Sequence, residues 1–178
     1  MNERQLIKEK KIAGHCNALA EVIIAIRPTY ISAELQQKAF IETIIGAAIW
    51  YIPKPTDAWT GFISRQAIKS FHPKSDVDKP KFSEEHVYPR KVSARLLLDN
   101  LGLNGDLLLN LFTKKYGRFH YITPGENKAA IQYQKSSVFT EPEEVYKQAG
   151  IELIQVMRED IKNIKKRDLS TIEQYLNA

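Results

Sequence analysis

Apolar positions recur at helical spacing near the N-terminus. Leu19, Val22, Ile23 and Ile26 fall at i, i+3, i+4 and i+7, and Leu6 and Ile12 extend the stripe less regularly. The pattern predicts a helix over 2–26. Arg27-Pro28 should end it, because the residue before a proline is pushed out of the α region. A second helix is predicted over 32–51, with Ser32 as its N-cap. Leu35, Ala39, Ile41, Ile44, Ile45, Ala48 and Ile49 give it a broad apolar face. Its C-terminal half is apolar nearly all round, which predicts burial. The two helices read as an antiparallel pair turning at Pro28, with Gly46-Ala47-Ala48 permitting close approach. They read as scaffold or as a dimer interface.

Pro53 and Pro55 then break the periodicity. Trp59–Ile63 reads as a short strand or an irregular connection, and Ser64 as the cap of a short helix over 65–70. The proline- and lysine-rich segment 71–81 is a loop by composition. A short strand is predicted over 84–88, then a helix over 89–101 with Pro89 at its first position. Val92, Leu96, Leu97 and Leu101 would face inward, and Arg90, Lys91 and Arg95 would lie on another face. Asn104-Gly105-Asp106 is a turn opening a helix over 106–116, which Gly117 ends, and 118–122 reads as a second strand. Thr123-Pro124-Gly125-Glu126 combines a cap, a first-position proline and a capping-box glutamate, opening a helix to about Gln134. Thr140-Glu141-Pro142-Glu143 opens another, kinked or ended at Ala149-Gly150. Ile151, Ile154, Met157 and Ile161 predict a further amphipathic helix over 151–163. The expected fold is α+β, mostly helical, with a minimal two- or three-stranded antiparallel sheet. Three blocks, 1–52, 53–135 and 136–178, are expected within one compact domain.

Composition narrows the class. A chain of 178 residues suffices for a real core. Apolar residues at 43% and charged residues at 26% are ordinary for a globular protein. No apolar run reaches the ~18 residues of a membrane-spanning helix. Met1-Asn2-Glu3-Arg4 leads into a charged helix without an apolar leader core, which argues against a secretory signal. One cysteine, Cys16, leaves no internal disulfide and no cysteine-based zinc knuckle. A cytoplasmic location and no membrane partner are expected. The net charge of +5 is unevenly spread: residues 61–135 carry 13 Lys/Arg against 7 Asp/Glu. A basic segment of this kind attracts polyanions, of which nucleic acid is the commonest.

Candidate chemistry gathers in that basic segment. In Ser83-Glu84-Glu85-His86-Val87-Tyr88-Pro89-Arg90 an acid and a histidine stand side by side in a short strand. Strand neighbours point to opposite faces, but a strand end beside a proline relaxes that geometry. A carboxylate is a hard ligand for a divalent cation, and an imidazole takes a proton from water near neutral pH. Metal plus base is the minimal apparatus for phosphodiester hydrolysis. A second ligand would come from Asn127 or Glu126, in the first turn of the helix after the second strand. The helix N-terminus and the capping role both weigh against Glu126. His120, on the second strand, is a further candidate for the catalytic group.

This order resembles the HNH, or ββα-metal, endonucleases of bacterial, phage and restriction type. Glu85-His86-Val87-Tyr88-Pro89 is similar to that family's acid-His-hydrophobic-x-Pro start, and Asn127 stands at its final motif position. The match covers residues 83–134. Thr123-Pro124-Gly125-Glu126 and Tyr146-Lys147-Gln148-Ala149-Gly150-Ile151 are similar, together with the Glu-His-Val-x-Pro box, to a group of bacterial and phage proteins to which the resemblance attaches no activity. The resemblance implies a DNA endonuclease with His86 as general base, and Glu85 and Asn127 as ligands to one Mg²⁺ or other divalent ion. RNA is the alternative substrate, and double-strand cutting would call for a homodimer. Two features depart from the family pattern. His86 and Asn127 lie 41 positions apart with two predicted helices between them, and the middle asparagine has no counterpart. Lys81, Arg90, Lys91, Arg95, Lys114, Lys115, Arg118 and Lys128 are the candidate phosphate contacts. A nucleic-acid-binding protein without catalysis, and a helical protein-interaction module, are the alternative readings.

Overall fold

The computed structural model describes residues 3–135 and 139–177. The predicted helix start at Asn2, and residues 136–138 and 178 of the C-terminal block, lie outside the described residues. The fold is α+β, mainly helical, with a four-stranded mixed sheet in place of the expected two or three antiparallel strands. Two compact units, each built from two chain segments, cut across the three sequence blocks. One comprises Met1–Ala58 and His86–Arg118, the other Trp59–Glu85 and Phe119–Ala178.

The first unit is helical. α1 spans Glu3–Ser32 and α2 spans Leu35–Tyr51. α4 spans Arg90–Asp99, α5 spans Gly105–Leu111, and a π-helical turn, Phe112–Tyr116, continues α5. Their core includes Cys16, Ile23, Ile45, Leu97, Leu98 and Leu108. α1 does not stop at Pro28 but runs through it for another turn. Tertiary contacts hold that turn. The Arg27 side chain donates to the carbonyls of Leu98 (2.9 Å) and Asn100 (2.6 Å) at the end of α4. The Tyr30 hydroxyl donates to Glu42 at 2.9 Å. Ser32 therefore ends α1 instead of capping α2. The α2 cap is Glu34, in a capping box with Gln37. α1 packs chiefly on α5 and α2 chiefly on α4, so the expected α1–α2 pair is the lesser contact.

Both of these helix pairs meet at a glycine. A Cβ on Gly46 would stand 3.0 Å from the Arg90 carbonyl oxygen, and one on Gly105 would overlap the Asn17 side chain. The second half of α2 is less buried than its composition predicts, with Ile44, Trp50 and Tyr51 exposed. Only one side of α2 meets α4.

The second unit carries the sheet, in the order β2-β3-β1-β4. β1 is Trp59–Ser64, β2 begins at Ser83 and ends on His86, β3 is Phe119–Ile122 and β4 is Leu153–Gln155. β1 pairs parallel with β3 and antiparallel with β4. Ser64 caps α3 (Arg65–Ser70) by accepting from the Ala67 N–H at 3.0 Å. α6 (Pro124–Ala130) opens with the predicted capping box, Thr123 and Glu126 exchanging bonds. It passes into a 3₁₀ turn over Ile131–Tyr133. α7 (Pro142–Gln148) ends at Gly150, whose φ of +67° is a left-handed conformation that suits glycine. The helix expected over 151–163 is instead β4 followed by α8 (Asp160–Lys165). Pairing of Leu153–Gln155 with β1 outweighs the helical periodicity of that stretch. Asp168 caps a last helix, α9 (Leu169–Leu176).

Candidate functional site

The candidate residues fall in two places, one in each unit. In the sheet unit, strand alternation puts Glu85 inside: it is 5% exposed, whereas Glu84 is half-buried. The Gln134 side-chain amide donates to the Glu85 carboxyl. Burial pushes that carboxyl up to about 7, against the pull of the Gln134 donor. His120 is also buried. Its Nδ1 lies 2.5 Å from Thr60 Oγ1, which donates to the Phe119 carbonyl (3.2 Å) and accepts from the Phe62 N–H (3.3 Å). The His120 ring meets Phe62 edge-on at 5.7 Å and Tyr146 at 5.1 Å. The Tyr146 hydroxyl is buried without a hydrogen-bond partner among the described residues. Burial foremost, then the negative charges of Glu85 and Glu143, raise its pKa.

β2, its neighbour β3 and then α6 follow the strand-strand-helix order of a ββα element. The Asn127 side chain links helix to strand by donating to Ser83 Oγ at 2.9 Å. Glu126 Oε2 accepts from the Thr123 N–H (2.8 Å) and the Ser64 hydroxyl (2.6 Å). Glu126 is thus held by its cap and by β1. As placed, Glu85, Glu126 and Asn127 each serve a protein contact. Among the described residues, no cluster of three or more His, Cys, Asp or Glu side chains is placed to hold a metal ion.

In the helical unit, the half-buried His86 lines a pocket of about 160 Å³ together with Trp50, Lys54, Tyr88, Arg90, Ser93 and Tyr116. The His86 ring lies 4.5 Å from the Trp50 ring, centroid to centroid. The Arg90 guanidinium sits 4.0 Å over the other side chain of this wall, the Trp50 indole. Tyr88 and Tyr116 meet edge-on at 5.6 Å, and the Lys115 ammonium stands 4.3 Å over Tyr88. Ser93 is 1% exposed, and its hydroxyl has no hydrogen-bond partner among the described residues. Leaving a buried hydroxyl unsatisfied costs about 1–3 kcal/mol, a cost that an acceptor entering the pocket would offset.

Electrostatics and size define what such an acceptor is. Two cations, an imidazole and a hydroxyl donor suit an oxyanion. The volume falls below the ~300 Å³ at which pockets take whole small ligands. A phosphoryl group fits, whereas a nucleotide does not.

Of the eight candidate phosphate contacts, Arg90, Lys91, Arg95, Lys114, Lys115 and Arg118 belong to the helical unit, and Lys81 and Lys128 to the sheet unit. Lys114 and Arg118 line a second cavity of the helical unit, about 540 Å³, shared with Glu9 and Asp57. Those acids make it a poorer anion site. Trp50, Lys54, Tyr88, Ser93 and Tyr116 escape the sequence reading. Ser93 alone had a local signal, since it lies three residues after Arg90 on one helix face. No protein-family model, no curated protein and no solved structure matches the chain.

Proposed function

We propose that the protein acts on nucleic acid and hydrolyses its phosphodiester bonds, with His86 as general base. The observation that carries this reading is the His86 pocket. The residue that the HNH resemblance makes the base lines one small cavity with Arg90, Lys54 and the unsatisfied Ser93 hydroxyl. A phosphodiester oxygen held there would stand beside the imidazole, where a water could be deprotonated for in-line attack; the new P–O bond forms as the P–O bond to the opposite sugar oxygen breaks, and that leaving oxygen takes a proton from solvent. Arg90, Lys54 and Ser93 would hold the phosphoryl oxygens as charge builds on them. The β2–β3–α6 order of the sheet unit is a second support for an HNH-like class. DNA is the substrate that the resemblance suggests. Under the resemblance Glu85 and Asn127 would be the ligands of a divalent ion, which would supply Lewis-acid stabilisation of the phosphoryl charge.

A second reading is binding without cleavage. It is favoured by the engagement of Glu85 with Gln134 and of Asn127 with Ser83. Incubating the purified protein with DNA and with RNA, in Mg²⁺, Mn²⁺ or EDTA, separates the two. Hydrolysis in any arm supports the first, and the EDTA arm reports whether a metal takes part. Salt-dependent binding with no product in every arm supports the second. No affinity for either polymer at moderate salt would overturn both.

A further inference from the structure

The sheet unit holds a groove that the reading above does not use. It is about 530 Å³ and is lined by Phe71, Lys81, Phe82, Glu84, Tyr121 and Lys165. Phe82 and Tyr121 are stacked, 5.0 Å apart at 23°, and both are only half-buried. Buried rings fix them from behind. Phe71 lies 4.7 Å from Phe82, and Phe119 and Trp59 lie 5.3 Å and 5.8 Å from Tyr121. The exposed Lys165 holds its ammonium 5.5 Å over Phe82 and 5.8 Å over Tyr121. Lys81, also exposed, precedes Phe82 in the chain and stands in the same groove.

We infer that this groove is a stacking site for an unpaired nucleobase and its adjoining phosphate, that is, for a single strand of nucleic acid. A rigid, partly exposed ring pair offers a π-face to any base, and base–aromatic stacking is sequence-tolerant. Two flanking lysines supply the backbone charge. The Glu84 carboxylate in the same lining is an acceptor for exocyclic amino groups, and it repels a plain polyanion. A base with its phosphate satisfies both signs of charge, while an acidic peptide meets Glu84 with like charge. The volume lies within the range that whole small ligands occupy. A lysine that merely caps an exposed aromatic cluster explains the Lys165 contact, but neither the groove nor Lys81. The site shares no residue with the His86 pocket and stands whether or not the protein cleaves.

The test is equilibrium binding of the full chain to a short fluorescent DNA single strand and to a duplex of equal length. It is run in EDTA at several salt concentrations. Phe82→Leu keeps apolar bulk and removes the ring, and it should weaken single-strand binding about tenfold or more while leaving duplex binding within about twofold. Lys165→Glu should weaken the single strand and lower the steepness of its salt dependence by about one ion. If Phe82→Leu fails to fold, as judged by circular dichroism, the surface variant Lys165→Glu decides alone. Unchanged single-strand affinity in the folded variants overturns the inference. So does an equal loss on duplex with Phe82→Leu, or polyglutamate competing as well as unlabelled single strand.

Discussion

At the scale of single residues, the two acid–histidine neighbours have separate lives. Glu85 is in the sheet unit, in a setting that favours its neutral form and lifts its pKa from 4.5 to about 7. The folded protein therefore holds a proton that the unfolded chain releases over that range. The unfolded chain binds fewer protons, so stability falls as pH rises from about 4.5 through 7. The span is worth on the order of 3 kcal/mol. Glu85→Gln should match the wild type near pH 4.5 and exceed it by up to about that amount at pH 8, measured by urea denaturation. An identical pH profile for the two proteins would contradict this account of Glu85. Ser93 gives a complementary prediction. Removing a hydroxyl that has no protein acceptor among the described residues should leave stability unchanged or raise it slightly, by ~1 kcal/mol at most. Ser93→Ala should nevertheless weaken DNA binding several-fold, read by fluorescence anisotropy. A loss of stability without a loss of binding would make Ser93 a packing residue.

At the scale of elements, local rules served where an element carries its own ends. Thr123 and Glu126 at α6 and Ser64 at α3 are caps written in four residues, and the structure forms both. Elements whose state is set by distant partners were not legible. Leu153–Gln155 is a strand because β1 lies beside it, and α1 passes Pro28 because Arg27 reaches the end of α4. Gly46 lies between these cases. Its small size announced a close approach, but only the fold shows that α4, not α1, is the partner. Gly46→Ala would set a methyl 3.0 Å from the Arg90 carbonyl oxygen and 3.1 Å from its carbon. Backbone cannot rotate away as a side chain does, so a loss of about 1–3 kcal/mol is expected in chemical denaturation. The start of α4 would move as well, and Arg90 with it, so DNA binding should fall in the same variant. Wild-type stability in Gly46→Ala would show that α2 and α4 have slack at this contact.

At the scale of the whole molecule, the chain visits each unit twice, and one of its three crossings falls between Glu85 and His86. The sequence shows these two as one motif, whereas the fold gives each its own surroundings. The general-base candidate was legible as a histidine beside an acid in a basic segment. Its pocket was not, because Trp50, Ser93 and Tyr116 come from three separate helical segments and Lys54 from the loop after α2, and no local spacing joins them. Among the described residues, no helix is long and apolar enough to cross a membrane. In the proposed reading, excess positive charge in the central segment would bring a polyanion to the protein, and His86 would act on it. The most direct measurement compares wild type and His86→Ala for cleavage of DNA in Mg²⁺ and Mn²⁺, alongside binding of the same DNA in EDTA. Loss of a positioned base should slow cleavage by at least about a hundredfold while binding stays within a few-fold of wild type. Cleavage by His86→Ala at the wild-type rate would contradict the proposal.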